Sequence, residues 1–294
     1  MTTIAPPLPP APAGPPPPLS PGGRTAVRVV LTVAATVLVV GCVAALGVVA
    51  WGLSTFRVIT DSQPLPAAMR SLVVDTGSVP VAVRITTDRQ AREPRADLRM
   101  VNSTRAGAKP LAVTTDGADA RVTINGESSP FLQWSRGGEI TVVLPPDLAR
   151  RLTVTTEQDN GVVLAQADLD ALIARTDNGA IVLSGSARRI EVYTDNGEVV
   201  TREPISVRES FTATTSNGNV NVDFADAAPR TVDATSDNGD VVVALPARGP
   251  YVVNASTDNG DTSVRVPRAS DPETAAAVVT VRSDNGDVVV ETLR

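Results

Sequence analysis

A single corner-forming dipeptide, Asn-Gly, recurs seven times between residues 160 and 286 and sets the organisation of most of this chain. Successive glycines are separated by 18, 18, 21, 21, 21 and 26 residues. Both residue types tolerate a positive φ, so the pair lets the backbone turn sharply at a small steric cost. The repeated pairs are Asn160, Asn178, Asn196, Asn217, Asn238, Asn259 and Asn285, followed in each case by Gly161, Gly179, Gly197, Gly218, Gly239, Gly260 and Gly286. A repeat of this length indicates an architecture of equivalent stacked units.

The residues on either side of each corner alternate with a period of two. Before the fifth glycine stand Val232, Ala234 and Ser236, so apolar residues give way to a small polar one, and the other repeats follow the same order closely. After that glycine the apolar positions resume at Val241 and Val243. This is the pattern of a strand with one buried face. Each repeat therefore predicts a strand, a corner and a second strand.

Two all-β architectures use corners of this kind. In the first, each Asn-Gly closes a type I′ hairpin and the repeats form an antiparallel meander. In the second, each repeat of about 20 residues is one coil of a β-solenoid, and equivalent residues stack about 4.8 Å apart along an axis. The solenoid is favoured because stacked Asn side chains can hydrogen-bond one another as a ladder, and stacked Thr or Ser side chains can do the same.

The first 56 residues have a different composition. Residues 1–25 are rich in proline and predict a disordered cytoplasmic tail. No charge interrupts Val29 to Phe56, and this run exceeds the roughly 20 residues that a helix needs to cross a bilayer. We therefore predict a transmembrane helix over residues 26–56, a linker over 57–70 and an extracytoplasmic domain over 71–294. Arg24 and Arg28 at the start of the run place the tail in the cytoplasm. The predicted fold class is thus an all-β, single-stranded β-helix-like solenoid preceded by one transmembrane α-helix.

Charge and residue types narrow the function classes. The net charge is -6 and Lys109 is the only lysine, so no basic surface for nucleic acid is predicted. The chain has no His, and its only cysteine, Cys42, lies in the apolar run, which leaves neither a disulfide nor a cysteine-based zinc site. The usual pairs of nucleophile and base are absent. We predict that the protein is not an enzyme and that it uses no cofactor.

Asp75-Thr76-Gly77 resembles the active-site loop of aspartic proteases. That chemistry requires a second carboxylate about 3 Å away to share a proton. The chain has no second loop of this kind, so a protease would have to be a homodimer. We favour the alternative that these residues form a β-turn like the corners downstream.

Pairs of aspartates raise the question of calcium. Two carboxylates flank each of the three late corners, namely Asp237 with Asp240, Asp258 with Asp261 and Asp284 with Asp287. Stacking would bring these groups close together, and calcium prefers carboxylate oxygens. In the alternative, the side chains extend into solvent, where screening keeps their repulsion small. The second interpretation is favoured because the glycine-rich nonapeptide of calcium-binding β-rolls is missing, so no metal site is predicted and calcium stays an alternative partner.

The corner motif has a recognisable form, given by "TDNGEVVT", "TSNGNVNV", "SDNGDVVV" and "TDNGDTSV". It resembles the bacterial "putative adhesin" family of uncharacterised β-strand-repeat envelope proteins. The resemblance covers about residues 71–294, is strongest from residue 150 onward, and is poor over residues 84–135. It implies an anchored or single-pass envelope protein with a solenoid ectodomain.

Together these inferences predict a bacterial cell-surface protein held in the plasma membrane by a single span, with its N-terminus in the cytoplasm. Its non-catalytic ectodomain would serve in adhesion or bind an envelope ligand. The alternative is a signalling component that senses an envelope ligand or stress and acts through the helix and the proline-rich tail. Exposed side chains differ from repeat to repeat, so the sequence names no ligand and decides neither between these roles nor the oligomeric state.

Overall fold

The computed structural model describes residues 21–54, 56–103, 110–125 and 138–293. The chain divides into two compact units, one ending at residue 55 and the other beginning at residue 56. The first unit contains helix α1 (Pro21–Ser54), in which the side chains of residues 31–47 are exposed. Most of the predicted proline-rich tail, residues 1–20, lies outside the described residues.

The predicted transmembrane helix over residues 26–56 is wrong. Within the described residues, no helix has both the length and the apolar character that a membrane crossing requires. The apolar run in the sequence is also not helical throughout, because α1 ends at Ser54 and Phe56 already belongs to a strand. The fold class as predicted, a transmembrane helix followed by a β-solenoid, is therefore corrected.

The second unit is all-β apart from the one-turn helix α2 (Pro146–Ala149), which Pro146 begins. The described strands are, in chain order, β1 (Phe56–Pro64), β2 (Ser71–Gly77), β3 (Val81–Thr87), β4 (Arg95–Ser103), β5 (Leu111–Asp116), β6 (Asp119–Ile124), β7 (Gly138–Leu144), β8 (Thr153–Gln166), β9 (Leu169–Asn178), β10 (Ile181–Ser184), β11 (Ser186–Asn196), β12 (Val199–Thr201), β13 (Ser206–Asn217), β14 (Val220–Asp223), β15 (Thr231–Asn238), β16 (Val241–Leu245), β17 (Tyr251–Asn259), β18 (Thr262–Arg265), β19 (Ala277–Asn285) and β20 (Val288–Thr292).

From β8 onward these strands form a stack of coils in two parallel sheets. The long-strand sheet contains the first half of β8 and then β9, β11, β13, β15, β19 and β17. The short-strand sheet contains the second half of β8 and then β10, β12, β14, β16, β20 and β18. Each Asn-Gly corner thus joins two sheets rather than two strands of one hairpin. The antiparallel meander is not the arrangement of this part of the chain.

The order of the coils in space differs from their order in the chain. Strand β19 lies between β15 and β17, and β20 lies between β16 and β18, so the coil of β17 and β18 forms one end of the stack. At the other end, β2 and β3 lie between β8 and the strands β6 and β7. Antiparallel pairs complete that end, where β4 joins β1 to β7 and β5 joins β6. The stretch predicted as a linker contains β1.

The core is a narrow interior filled by small and branched side chains. The position two residues after each corner glycine is fully buried in six coils, at Val163, Ile181, Val199, Val220, Val241 and Val288. Phe211 and Phe224 add an edge-to-face aromatic contact with ring centroids 5.2 Å apart. Such an interior suits a composition with only 3% aromatic residues, because two sheets joined by tight corners leave little space between them.

Candidate binding surface

The seven corner asparagines form one column along an edge of the stack. Parallel register places Asn160 beside Asn178, Asn178 beside Asn196, Asn196 beside Asn217, Asn217 beside Asn238, Asn238 beside Asn285 and Asn285 beside Asn259. All seven side chains are exposed. We call this set the asparagine column.

Side-chain hydrogen bonds join six members of the asparagine column. In each bond Nδ2 of one residue donates to Oδ1 of the next: Asn196 to Asn178 at 3.1 Å, Asn217 to Asn196 at 3.0 Å, Asn238 to Asn217 at 3.2 Å, Asn285 to Asn238 at 3.0 Å and Asn259 to Asn285 at 3.1 Å. The seventh, Asn160, is in register, but Asn178 donates to the carbonyl of Asp159 instead, at 3.3 Å. The amides therefore all point the same way along the stack.

Close approach of the coils explains why glycine follows each asparagine. A Cβ built on Gly218 would lie 1.9 Å from the carbonyl oxygen of Gly197, and the φ of Gly218 is +155°. That same carbonyl accepts a hydrogen bond from the buried hydroxyl of Thr215 at 3.1 Å. Equivalent hydroxyl bonds to glycine carbonyls are made by Thr194, Ser236, Ser283 and Thr257. The hydroxyl at the small polar position thus donates to the glycine carbonyl of the neighbouring coil. A side chain in place of the corner glycine would clash with that same carbonyl.

Carboxylates flank the asparagine column on both sides. The position before the asparagine holds Asp159, Asp177, Asp195, Ser216, Asp237, Asp284 and Asp258, and the position after the glycine holds Glu198, Asn219, Asp240, Asp287 and Asp261 in the later coils. In the second group the side chain bonds the next coil: the backbone N–H of Asp287 donates to Oδ1 of Asp240 at 2.8 Å, and that of Asp261 donates to Oδ1 of Asp287 at 2.9 Å. We call the asparagine column and these two flanking columns the corner ridge.

The carboxylates of the ridge have polar or charged neighbours. Backbone N–H groups lie between the stacked carboxylates of Asp240, Asp287 and Asp261, so their negative charge is partly compensated without a cation. On the other side of the ridge, Arg282 lies 3.3 Å from Asp284 and 3.9 Å from Asp258. The part of the chain that the structure describes contains no group of three or more His, Cys, Asp or Glu side chains that could hold a metal ion.

A network of charges on the long-strand sheet crosses three coils. Arg188 makes two bonds to Asp170, at 2.9 and 2.8 Å, and one to Glu209 at 2.8 Å. The hydrogen bond from Arg188 lowers the pKa of the Asp170 carboxyl below its usual range. Asp170 and Arg188 are 18 residues apart, and Arg188 and Glu209 are 21 apart, which equals the local repeat lengths. Opposite charges at the repeat spacing could therefore have predicted this network, although none of the three residues belongs to the corner motif.

Other carboxylates have structural surroundings. Oδ1 of Asp75 accepts the backbone N–H of Gly77 at 3.0 Å, and Oδ2 pairs with Arg121 at 2.9 Å, so the sequence resembling a protease loop forms the last residues of β2, just before the chain turns into β3. Burial, and secondarily the charge of Glu291, raise the pKa of Asp223. Asp223 and Glu291 lie in one row across the short-strand sheet, with the buried Ala244 between them.

The fold of this chain is similar to those of several solved structures. No family model matches the sequence, and no curated protein matches it. Among solved structures, a putative adhesin from Bacteroides fragilis is similar over 81% of this chain and 97% of its own, with 13% identity and a TM-score of 0.48. A putative adhesin from Parabacteroides distasonis is similar over 79% and 97%, with 9% identity and a TM-score of 0.46.

A third solved structure, a putative cell adhesion protein from Clostridium sporogenes, is similar over 81% of this chain and all of its own, with 9% identity and a TM-score of 0.39. Proteins described as putative adhesins or cell adhesion proteins are thus among the solved structures to which this chain is similar.

Proposed function

We propose that this chain is a non-catalytic binding protein of the bacterial cell surface, and that the corner ridge is the surface on which it holds its ligand. The observation that carries the proposal is the asparagine column, seven exposed side chains in register at one edge of the stack. At a strand spacing of about 4.8 Å, seven coils present a row of about 29 Å. A row of that length suits an extended partner better than a small molecule.

The ridge is fixed in position before any ligand arrives. Its amides bond each other, and its glycine backbones are pinned by the buried hydroxyls of residues such as Thr215 and Ser236. A surface that is already ordered loses little conformational entropy on binding. This rigidity therefore supports a binding role, because flexible polar side chains would lose conformational entropy when they became ordered on a ligand.

The chemistry of the ridge indicates the class of ligand. Carboxylates flank the amides on both sides in the later coils and on one side at Asn160 and Asn178, so most of the ridge offers hydrogen-bond acceptors and negative charge. Partners that complement it carry repeated donors, such as the hydroxyl groups of a glycan or the amino groups of a cationic polymer. Envelope and surface polymers have this repeated character, which is why adhesion or envelope binding is the function we propose.

A binding role also suits the residue inventory. The sequence has no His, and its only cysteine, Cys42, lies in α1 outside the stack. Asp223, whose carboxyl has a raised pKa, is half-buried and lies at the end of β14 away from the ridge. The cell-surface location rests on the resemblance of the corner motif to envelope proteins.

The test is attachment of cells that lack the gene and are complemented with variants. One variant changes Asp237, Asp258 and Asp284 to Ser, which is the residue that Ser216 already supplies at this position of the ridge. The control variant changes the exposed Glu203, Asp233 and Glu273 to Ser, so both lose three negative charges.

We expect the ridge variant to attach several-fold less than wild type, while the control variant attaches normally and both have the thermal stability of wild type. Equal attachment by the gene deletion and the wild type would contradict the binding role. Equal loss in the ridge and control variants would show that net charge, and not the ridge, carries the attachment.

A further inference from the structure

One end of the stack is open. Within the described residues, β18 pairs with β20 alone, and β17 pairs with β19 and otherwise makes only an isolated bridge from Tyr251 to Arg268. Beyond that bridge, both strands present a free edge on the same side of the molecule. Interior coils have a neighbour on each side of both strands. The end coil therefore has the unpaired strand edges that an interior coil would have if its neighbour on one side were removed.

Backbone groups of β17 point out from this edge. At its start, the N–H of Tyr251 donates to the carbonyl of Pro267 and the carbonyl of Tyr251 accepts from Ala269, both at 2.8 Å. These contacts lie on the side away from β19. Backbone groups along a strand alternate in direction with a period of two, so those of Val253, Ala255 and Thr257 point the same way. The loop over residues 266–276 covers the edge at Tyr251 and leaves the seven residues 253–259 uncovered.

Core side chains are also exposed at this end. Val253 retains 9% exposure, and Ala255 and Val264 are half-buried, whereas the equivalent Ala234 and Val243 are fully buried. Thr262 replaces the buried branched residue of the other coils and is exposed. The open end thus offers apolar contact in addition to hydrogen bonds, and the described part of the chain covers its interior only in part, through Val266 of the following loop.

We propose that a second copy of this chain covers the open end, edge to edge, about a twofold axis. A single foreign strand could pair with β17 or with β18 but not with both, because the two edges belong to different sheets. A second copy presents both edges at once, so β17 and β18 each lie antiparallel to their counterparts and the two interiors become continuous. A twofold axis makes such an interface self-complementary.

The register follows from the uncovered residues. If residues 253–259 of each copy pair fully, the axis passes Ser256, and Ala255 lies opposite Thr257 of the second copy. This pairing keeps inward side chains opposite inward ones, and it joins the outward-pointing backbone groups of both strands. Asn254 then lies opposite Asp258 of the second copy, where an amide meets a carboxylate and no like charges oppose each other.

Disulfide capture tests this register directly. On the axis, residue 256 faces its own copy in a non-hydrogen-bonded pair with Cα atoms about 4.5 Å apart, which is within the range for a disulfide. The full chain is prepared with Cys42→Ser and Ser256→Cys and oxidised at low micromolar concentration. We expect most of the protein to form a covalent dimer of twice 30.4 kDa.

The matched control is Thr214→Cys in the same Cys42→Ser background. Thr214 occupies the same outward position in an interior coil, next to Thr235, so the proposed axis does not bring it near its own copy. We expect at least ten-fold less cross-linking there. Equal cross-linking at both positions, or none at residue 256, overturns the proposal.

Charge substitution gives a second test without covalent capture. Ser256→Glu places two carboxylates opposite each other, and Ser256→Lys does the same with two ammonium groups. We expect each variant alone to dimerise at least ten-fold more weakly than wild type in sedimentation equilibrium, and an equimolar mixture to recover the dimer. Dimerisation of Ser256→Glu at wild-type strength also overturns the proposal.

Discussion

The asparagine column makes a prediction that depends on position, and Asn238→Ala is its clearest case. Asn238 donates from Nδ2 to the carbonyl of Ser216 and to Oδ1 of Asn217, both at 3.2 Å, and accepts from Asn285 at 3.0 Å. Alanine removes all three bonds. A hydrogen bond contributes about 0.5–1.5 kcal/mol net, and water replaces part of each at an exposed site. We expect the free energy of unfolding to fall by about 1–2 kcal/mol.

Two matched variants turn this value into a gradient. Asn259 is the last member of the column and donates two bonds, to Asn285 and to the carbonyl of Asp284, while accepting none from the column. Asn259→Ala should therefore cost about two thirds as much as Asn238→Ala. Asn160 lies in register but outside the bonded run, so Asn160→Ala should change stability by less than about 0.5 kcal/mol.

Urea unfolding monitored by circular dichroism measures all three variants under the same conditions. The denaturation midpoint should fall most for Asn238→Ala, less for Asn259→Ala and least for Asn160→Ala, with similar slopes. If Asn160→Ala costs as much as Asn238→Ala, the effect belongs to the corner backbone, and cohesion through the column is refuted.

Three further changes test the corner, the interior and the charge network by the same unfolding assay. Gly218→Ala should cost more than about 3 kcal/mol, because its Cβ would lie 1.9 Å from the oxygen of Gly197; a cost under about 1 kcal/mol would show that the coils can separate. Thr156→Val should stabilise the protein by about 1 kcal/mol, since it removes a buried hydroxyl without a partner; destabilisation would contradict this. Arg188→Gln should cost up to about 1 kcal/mol at neutral pH. The pKa of Asp170 is lowered in the folded state, so its contribution is present above the unfolded pKa of about 3.9 and is lost as pH falls through the folded value; a difference that persists in stronger acid would contradict the assignment.

Much of the stack could be predicted from the sequence because its signal is local and repeated. Alternation around each corner fixes which side chains face inward, as with Ala234 and Ser236, which are both fully buried. The recurring corner then brings equivalent residues together, since a one-residue slip would turn every inward side chain outward. The same spacing relates Asp170 to Arg188 and Glu209, although their charges stand outside the corner motif.

The order of coils could not be predicted in this way. Every interior edge offers nearly the same register, so the repeat does not distinguish a neighbour in sequence from a neighbour in space. Two local clues exist: the long separation of 26 residues between Gly260 and Gly286, and the polar Thr262 where other coils bury a branched side chain. Both features mark the coil that ends the stack. They can be interpreted only once it is known that the loop over residues 266–276 returns the chain to the position between β15 and β17.

The helix prediction failed for a different reason. The apolar run identified the helix itself, since α1 is continuous from Pro21 to Ser54, but no helix among the described residues has both the length and the apolar character that a membrane crossing requires. Irregular spacing likewise hid the antiparallel strands β1, β4 and β5, where no corner motif recurs. Long-range antiparallel pairing leaves only weak local patterns, so residues 84–135 were the part least accessible to sequence analysis.

The displaced coil also sets the order in which the molecule can be completed. Strands β17 and β18 touch the rest of the stack only through β19 and β20, which come later in the chain. During synthesis the coil over residues 251–265 therefore emerges before β19 and β20, the strands it pairs with. It can join the stack only after those strands have paired with β15 and β16. Removal of residues 277–293 deletes the coil of β19 and β20. The coil of β17 and β18 should then also detach, because its only strand neighbours are lost.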